Sequence, residues 1–354
     1  MNTDRLLAAF ASISHKPEWR FRFIQQMIAF EKQIQSPGLD VREDVTGPLV
    51  DALFDDNQIV TKELSDGTVL EFFYRSKIAR DFVMSEPARP DHVWEPQTTK
   101  LLVKLARNAK HVVIGGAYFG DQAILVAKEI AKTGGIVHAF EPNNDQRKML
   151  MRNAELNSLS NVHCFGEGLW DNCSSTFALQ GYDAFAHTEA VDSDRRDVFS
   201  TVTVDEYLKA AGVVSLDLLM LDIEGAELRA LMGAVSFLAQ PVGRAPNVVF
   251  EVHRSYVDWT CGLENTEIVR YLIDLGYYVF AVRDFHSNYD LSHKPIEIIP
   301  ANAVYLEGPP HGFNMVAVKD ESLLTGPDFR LCERVSPKLL RHKVAELHHP
   351  IGGL

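Results

Sequence analysis

The chain has 354 residues, 46% of them hydrophobic and 23% charged, and a formal net charge of −13. That length gives one large or two modest domains with ample core, and the acidic balance argues against a nucleic-acid partner, which needs clustered Lys and Arg. Four cysteines without CxxC or disulfide spacing, no long apolar leader and no 18-residue apolar run predict a cytoplasmic protein, neither secreted nor membrane-spanning.

Residues 1–91 read as a helix-plus-hairpin region. RLLAAFASI and FRFIQQMIAFEKQIQ carry apolar residues at helical spacing, and SPGLD stops the second helix. IVTKELSDGTVLEFFYR alternates around Asp66-Gly67, a hairpin signal. The proline-broken ARPDHVWEP then leads into the helix TTKLLVKLARNA.

From residue 92 to 320 strands and helices alternate. HVVIG, GIVHAF, NVHCF, LDLLMLD and NVVFEVH are apolar runs, the pattern of parallel strands buried on both faces. DQAILVAKEIAK, DQRKMLMRNAELN and VDEYLKAAGV fall between the first four as helices. AELRALMGAVSFLA and NTEIVRYLIDLG flank the fifth. YYVFAV and FNMVAVK read as an antiparallel pair at the sheet edge, separated by a long loop over residues 283–312 that carries His286 and His293. His187 is placed on a surface hairpin, and residues 321–354 read as a helical tail.

The chemistry gathers at the first strand-to-helix turn. HVVIG runs into Gly115, Gly116, Ala117, Tyr118 and Gly120, and the next strand ends on Glu141-Pro142. Glycines let the backbone approach a ligand, a helix N-terminus offers N–H groups, and an acid at the second strand end can accept both hydroxyls of a ribose. A dinucleotide enzyme would carry Gly-x-Gly-x-x-Gly, and G-G-A-Y-F-G does not fit that spacing.

Five blocks together resemble the FkbM-type S-adenosylmethionine (SAM)-dependent methyltransferases: VWEPQTTKLLVKL, VVIGGAYFGD, HAFEPNNDQRKMLMRNAELN, LDLLMLDIEGAELRALMGA and VVFEVH. The resemblance implies an α/β fold of the class I methyltransferase (Rossmann-like) type, a seven-stranded sheet in the order 3-2-1-4-5-7-6 with strand 7 antiparallel. It implies SAM as donor and a hydroxyl of a small molecule or sugar as acceptor. Gly115, Gly116, Ala117, Tyr118 and Gly120 then wrap the cofactor with Glu95 near its methionine end. Glu141 and Pro142 lie at the ribose, Asp171 at the adenine, and Asp222 beside the reacting methyl. The family carries an acid two residues before Gly116, where this chain has Ile114, so a non-catalytic scaffold stands as an alternative; a dinucleotide oxidoreductase is the other.

An alcohol acceptor must lose its proton, to a general base or with help from a metal. Glu251 and His253 are two apart on one strand and so share a face, next to the strand that ends at Asp222. His253 is the expected base. Asp222, Glu251 and His253 form a donor set suited to Mg²⁺ or Mn²⁺, against the plainer reading of a hydrogen-bonded polar strand end. The N-terminal region is expected to cover the acceptor side or to form a dimer contact.

Overall fold

The computed structural model describes residues 3–34, 39–180, 187–190, 198–306 and 312–340. The N-terminal elements are helices α1 (Thr3–Ser14), α2 (Pro17–Gln33) and α3 (Gly47–Asp51), the strands β1 (Ile59–Glu63) and β2 (Val69–Phe73), and helix α4 (Lys77–Val83). β1 and β2 pair antiparallel from Ile59↔Phe73 to Glu63↔Val69, with Gly67 at φ +82° in the turn. The Ser36-Pro37-Gly38 stop lies outside the described residues.

The alternating part follows with α5 (Pro96–Leu105), β3 (His111–Gly115), α6 (Ala123–Ala131), β4 (Ile136–Phe140), α7 (Asn144–Leu156) and β5 (Val162–Phe165). Next come the short strands β6 (Gly168–Leu169), β7 (Thr176–Gln180), β8 (His187–Ala190) and β9 (Val198–Val202), which form their own sheet in the order β6-β9-β7-β8. His187 opens β8, paired with Gln180 of the β7–β8 hairpin. Helix α8 (Val204–Ala210) leads to β10 (Leu218–Leu221). After it come α9 (Glu227–Met232), α10 (Val235–Leu238), β11 (Asn247–His253), α11 (Glu267–Asp274) and β12 (Tyr278–Val282). The last strands are β13 (Asp284–Phe285), β14 (Ile296–Pro300), β15 (Gly312–Val318), β16 (Phe329–Leu331) and β17 (Lys338–Leu339).

The main sheet runs β5-β4-β3-β10-β11-β15-β12-β14-β16, nine strands where seven were expected. β3, β4, β5, β10 and β11 are parallel, and β15 is antiparallel to both β11 and β12. The final antiparallel pair therefore lies inside the sheet. β14 and β16 take the edge, built from a stretch read as loop and from the tail read as helical. Ile296–Pro300 escaped notice because four buried residues ending in proline are too short to show a period. Among the described residues, 321–340 hold a 3₁₀ turn, β16 and β17 and no α-helix.

Strand period 2 sorts the core onto two faces. Val112, Ile114, Val137, Ala139, Met220 and Val316 face α5, α6 and α7, whereas Val113, Leu219, Leu221, Phe250 and Met315 face α8, α9 and α11. Ile24, Leu64, Leu70, Phe72 and Phe82 belong to the first of these clusters, so the N-terminal elements share the α5–α7 core instead of standing apart from it.

Two asparagines of α7 make that join. Asn153 accepts the Glu71 N–H at 2.7 Å and donates to the carbonyls of Glu71 and Phe119, each at 2.8 Å. Asn157 treats Val69 the same way, at 2.9 and 2.7 Å. The two amides thus complete the free edge of β2 as a neighbouring strand would. Asn153 has no exposed surface, so Asn153→Ala leaves buried backbone groups unpaired. It should cost about 2 to 3 kcal/mol in urea unfolding. A loss within about 0.5 kcal/mol, the range of an ordinary surface change, would show that the join does not depend on this side chain.

Candidate active site

The carboxyl ends of β3, β4 and β10 open into one cleft, lined by Gly115, Gly116, Tyr118, Asp121, Gln122, Glu141 and Asp222 among others. The turn after β3 determines its floor. Gly116 has φ +75°, and a Cβ there would sit 1.8 Å from the Asp222 carbonyl oxygen, so only glycine fits. The N–H groups of Gly116 and Ala117 both donate to the Phe140 carbonyl, at 3.0 and 3.1 Å, tying the turn to the end of β4. Ala117 and Gly120 do not reach the cleft. Gly120, at φ +93°, makes room for Leu150, and both shape the turn from behind.

Glu141 follows β4 and is 8% exposed. Its Oε2 accepts the Tyr118 N–H and its Oε1 the Asn143 N–H, each at 2.8 Å, which fixes the carboxylate at the cleft wall beside Pro142. Past it, Glu167, Gly168, Leu169 and Trp170 form the end of the cleft, faced by Phe177 and Phe199 from the small sheet. Gly168 is required there: a Cβ would lie 2.4 Å from the Phe199 ring.

Asp171, expected at that end, points elsewhere. It pairs with Arg229 at 2.9 Å and does not line the cleft, whereas Glu167, on the other side of β6, does. His253 is likewise displaced. It does share a face of β11 with Glu251, since a Cβ on Gly312 would meet both side chains. Its Nδ1, however, accepts the Ser255 N–H at 3.0 Å, its ring lies 5.4 Å from that of Tyr256, and it does not line the cleft. The base and metal-ligand roles expected of His253 do not fit this placement.

The third carboxylate comes from Glu224 instead. Ligand oxygens of Asp222, Glu224 and Glu251 all lie within 4.8 Å of one another. Glu224 reaches that position from a left-handed backbone, φ 53°, in the turn between β10 and α9. Glu227 caps the same turn by accepting the N–H groups of Ile223 and Gly225, at 2.9 and 3.0 Å.

At the opposite side stands Glu95, also left-handed at φ 48°, at the N-cap position of α5. It makes no cap with its own side chain. Asp284 of β13 does that work, accepting the N–H groups of Gln97 at 3.0 Å and Thr98 at 2.7 Å, and the parallel β13–β17 pair holds Asp284 in place. The Glu95 carboxylate is thereby left for the cleft, where Asn314 donates to it at 2.8 Å and His286 Nε2 lies 3.4 Å away. His286 thus joins the site from the segment read as loop, while His293 stays exposed. Lys77 and Ile78, at the start of α4, close the mouth and give the N-terminal region a part in the cleft.

Burial and mutual repulsion act together on these acids. Burial pushes Asp222 up to about 6. Asp121 rises to about 7 by burial, helped by the charges of Asp222 and Glu141, and Glu224 to about 7 by burial and Asp222. Glu95 and Glu251 are driven well above the ordinary range by burial and by the charge of Asp222. The cleft is therefore built to receive positive charge.

A doubly wound sheet with a glycine turn, a strand-end acid and a carboxylate-lined cleft at the ends of its parallel strands has the architecture of the class I methyltransferase fold. Residues 115–279 match the family model of the methyltransferase FkbM domain. A methyltransferase FkbM structure from Methylobacillus flagellatus KT is similar at 16% identity and a TM-score of 0.34, over 51% of this chain and 41% of that one. An O-methyltransferase from Bacillus cereus in complex with SAH (S-adenosylhomocysteine) gives 13% identity and 0.36, over 65% and 84%. Precorrin-6y C5,15-methyltransferase from Geobacter metallireducens GS-15 gives 12% and 0.34, over 63% and 89%. Comparison with curated proteins returns no match.

Each raised carboxylate holds a proton in the folded protein at a pH where the unfolded chain, titrating near 4, has released it. Their contribution to stability is full below about pH 4 and is lost as pH rises through the folded values of about 6 and 7. Without ligand, the melting temperature should therefore fall between about pH 5 and pH 8, and Asp121→Asn should flatten the fall. A profile unchanged by Asp121→Asn would exclude this residue from the shared burden.

Proposed function

We propose that this domain transfers the methyl group of SAM to a hydroxyl oxygen of a small-molecule or sugar acceptor. The observation that carries the reading is the placement, in one cleft, of Glu141 with both oxygens pinned by backbone N–H groups and of the group Asp222, Glu224 and Glu251. Glu141 stands at the cleft wall where a carboxylate can accept from ribose hydroxyls, and the wall of Leu169, Trp170, Phe177 and Phe199 suits a flat base.

SAM supplies a methyl already activated on a sulfonium, so this chain must align the acceptor, exclude water and take a proton. As the acceptor oxygen forms its bond to the methyl carbon, the carbon–sulfur bond breaks. The hydroxyl proton passes to a carboxylate of the cluster, for which Glu224, at about 7, is poised at neutral pH. The acidic chain and the cleft's carboxylates repel a phosphate backbone, in keeping with a small acceptor in the cytoplasm.

Calorimetry tests the donor. SAM and SAH should bind and NAD should not. Glu141→Ala should weaken both SAM and SAH by roughly ten- to hundredfold, the value of hydrogen bonds to a charged group, while His253→Ala leaves them unchanged. A folded protein that binds neither SAM nor SAH would overturn the reading.

A second reading rests on the spacing of the three carboxylates, an oxygen-only set that suits Mg²⁺ or Mn²⁺ with waters completing the shell. Titration with Mn²⁺ in the presence of SAH, followed by electron paramagnetic resonance, checks it. One tight ion lost in Glu251→Gln supports the metal. No bound ion leaves proton transfer to the carboxylates alone.

A further inference from the structure

Two lysines converge on the mouth of a cleft whose interior is acidic. One comes from the short parallel pair of β13 and β17, in which Asp284 is the register partner of Lys338 and Phe285 of Leu339. The residue after β13, His286, lines the cleft, so this pair builds part of its wall. The other is Lys77, which enters the lining from the start of α4. Trp94 links the two sides: the Lys77 Nζ lies 6.0 Å from its ring centre, and the His286 ring centre 6.3 Å from it.

Lys338 is mostly buried. Burial and the charge of Lys77 bring its ammonium down to about 8, while the charges of Glu95 and Glu251 act on it in the opposite sense. Those three residues all line the cleft, so the ammonium stands within reach of the cleft's charges. The two lysines differ in company. Lys77 pairs with Glu43, a carboxylate shared with Arg80. The Lys338 backbone N–H goes to Ser336 Oγ at 3.2 Å, but its ammonium has no hydrogen-bond or ion-pair partner among the described residues. Glu95, which acts on it through its charge, bonds instead to Asn314 at 2.8 Å and lies 3.4 Å from His286. A cation drawn out of water, given no acceptor and set near a second cation, is unfavourable in an empty wall. It suits a wall that closes on an anion.

We propose that Lys77 and Lys338 hold an anionic group of the acceptor, a carboxylate or a phosphate, at the mouth of the cleft while its hydroxyl faces Asp222 and Glu224. The acceptor class is thereby narrowed to hydroxy acids and phosphorylated alcohols. One anionic group meets these two cations, whereas a polymer's row of phosphates would meet the carboxylates as well. The inference rests on the reading of the cleft as a SAM site.

The test adds inorganic phosphate or, separately, acetate to the full chain saturated with SAH, and follows binding by ligand-observed NMR. At least one of the two should bind saturably, and the tighter one tells phosphate from carboxylate. Lys338→Gln and Lys77→Gln should each weaken that anion roughly tenfold or more, with Lys338→Arg restoring it to within about threefold. Lys32→Gln, at an exposed pair with Glu86, should change nothing. Melting temperature checks the fold of each variant, and the arginine variant keeps the test open where glutamine does not fold. No saturable binding to the SAH-loaded wild type, or binding that Lys338→Gln leaves intact, overturns the proposal. So does an anion that binds only the free protein and is displaced by SAH, since the lysines would then serve the donor. If SAH itself does not bind, the donor reading fails and this inference falls with it, an outcome distinct from a SAH complex that ignores both anions.

Discussion

The cleft depends on one close approach. Gly116 passes the Asp222 carbonyl so tightly that any side chain at 116 would collide with it, and the Asp222 N–H in turn donates to the Gly115 carbonyl at 3.1 Å. This contact brings the ends of β3 and β10 to the same level. The glycine turn and the Asp222 corner thus face one ligand rather than two. Everything that lines the cleft hangs from it: the turn carries Tyr118 onto Glu141, and the corner aims Glu224 back toward Glu251. The price is a crowd of carboxylates with little solvent, tolerable only for a site that spends its working life next to positive charge.

The parallel strands were legible as apolar runs, and five of them fall where such runs occur: β3, β4, β10 and β11 are largely buried on both faces, and β5, at the sheet edge, is half-buried. The glycine turn and Glu141 were legible because backbone geometry demands particular residues at particular distances. β14, β16 and β17 were not, since strands of two to five residues leave no period to read. Asp121 was missed for another reason. It sits inside a block whose glycines drew the eye, and an acid at the head of a helix already has a sufficient explanation in the helix dipole.

His253 and Asp171 fail for a shared cause. Alternation along a strand correctly puts His253 on the face of Glu251, but it says nothing of where the strand leaves the cleft, and by residue 253 it has left. Asp171 lies one residue beyond the last that lines the cleft, and a turn of one residue is enough to send it to Arg229. The asparagines of α7 show the converse. Their place in a family block is visible in sequence, but their work, finishing the edge of a strand some eighty positions earlier, belongs to tertiary structure alone.

Three residues that line the cleft, Glu95, Tyr118 and Glu224, hold left-handed backbones without being glycine. Each conformation is uphill by about 1 kcal/mol or more for a residue with a Cβ. Drift toward glycine at these positions would relax the chain while discarding the side chains that face the ligand. Selection for robustness and selection for turnover therefore pull in opposite directions here, and the rest of the molecule must supply the surplus stability that lets these strained corners persist.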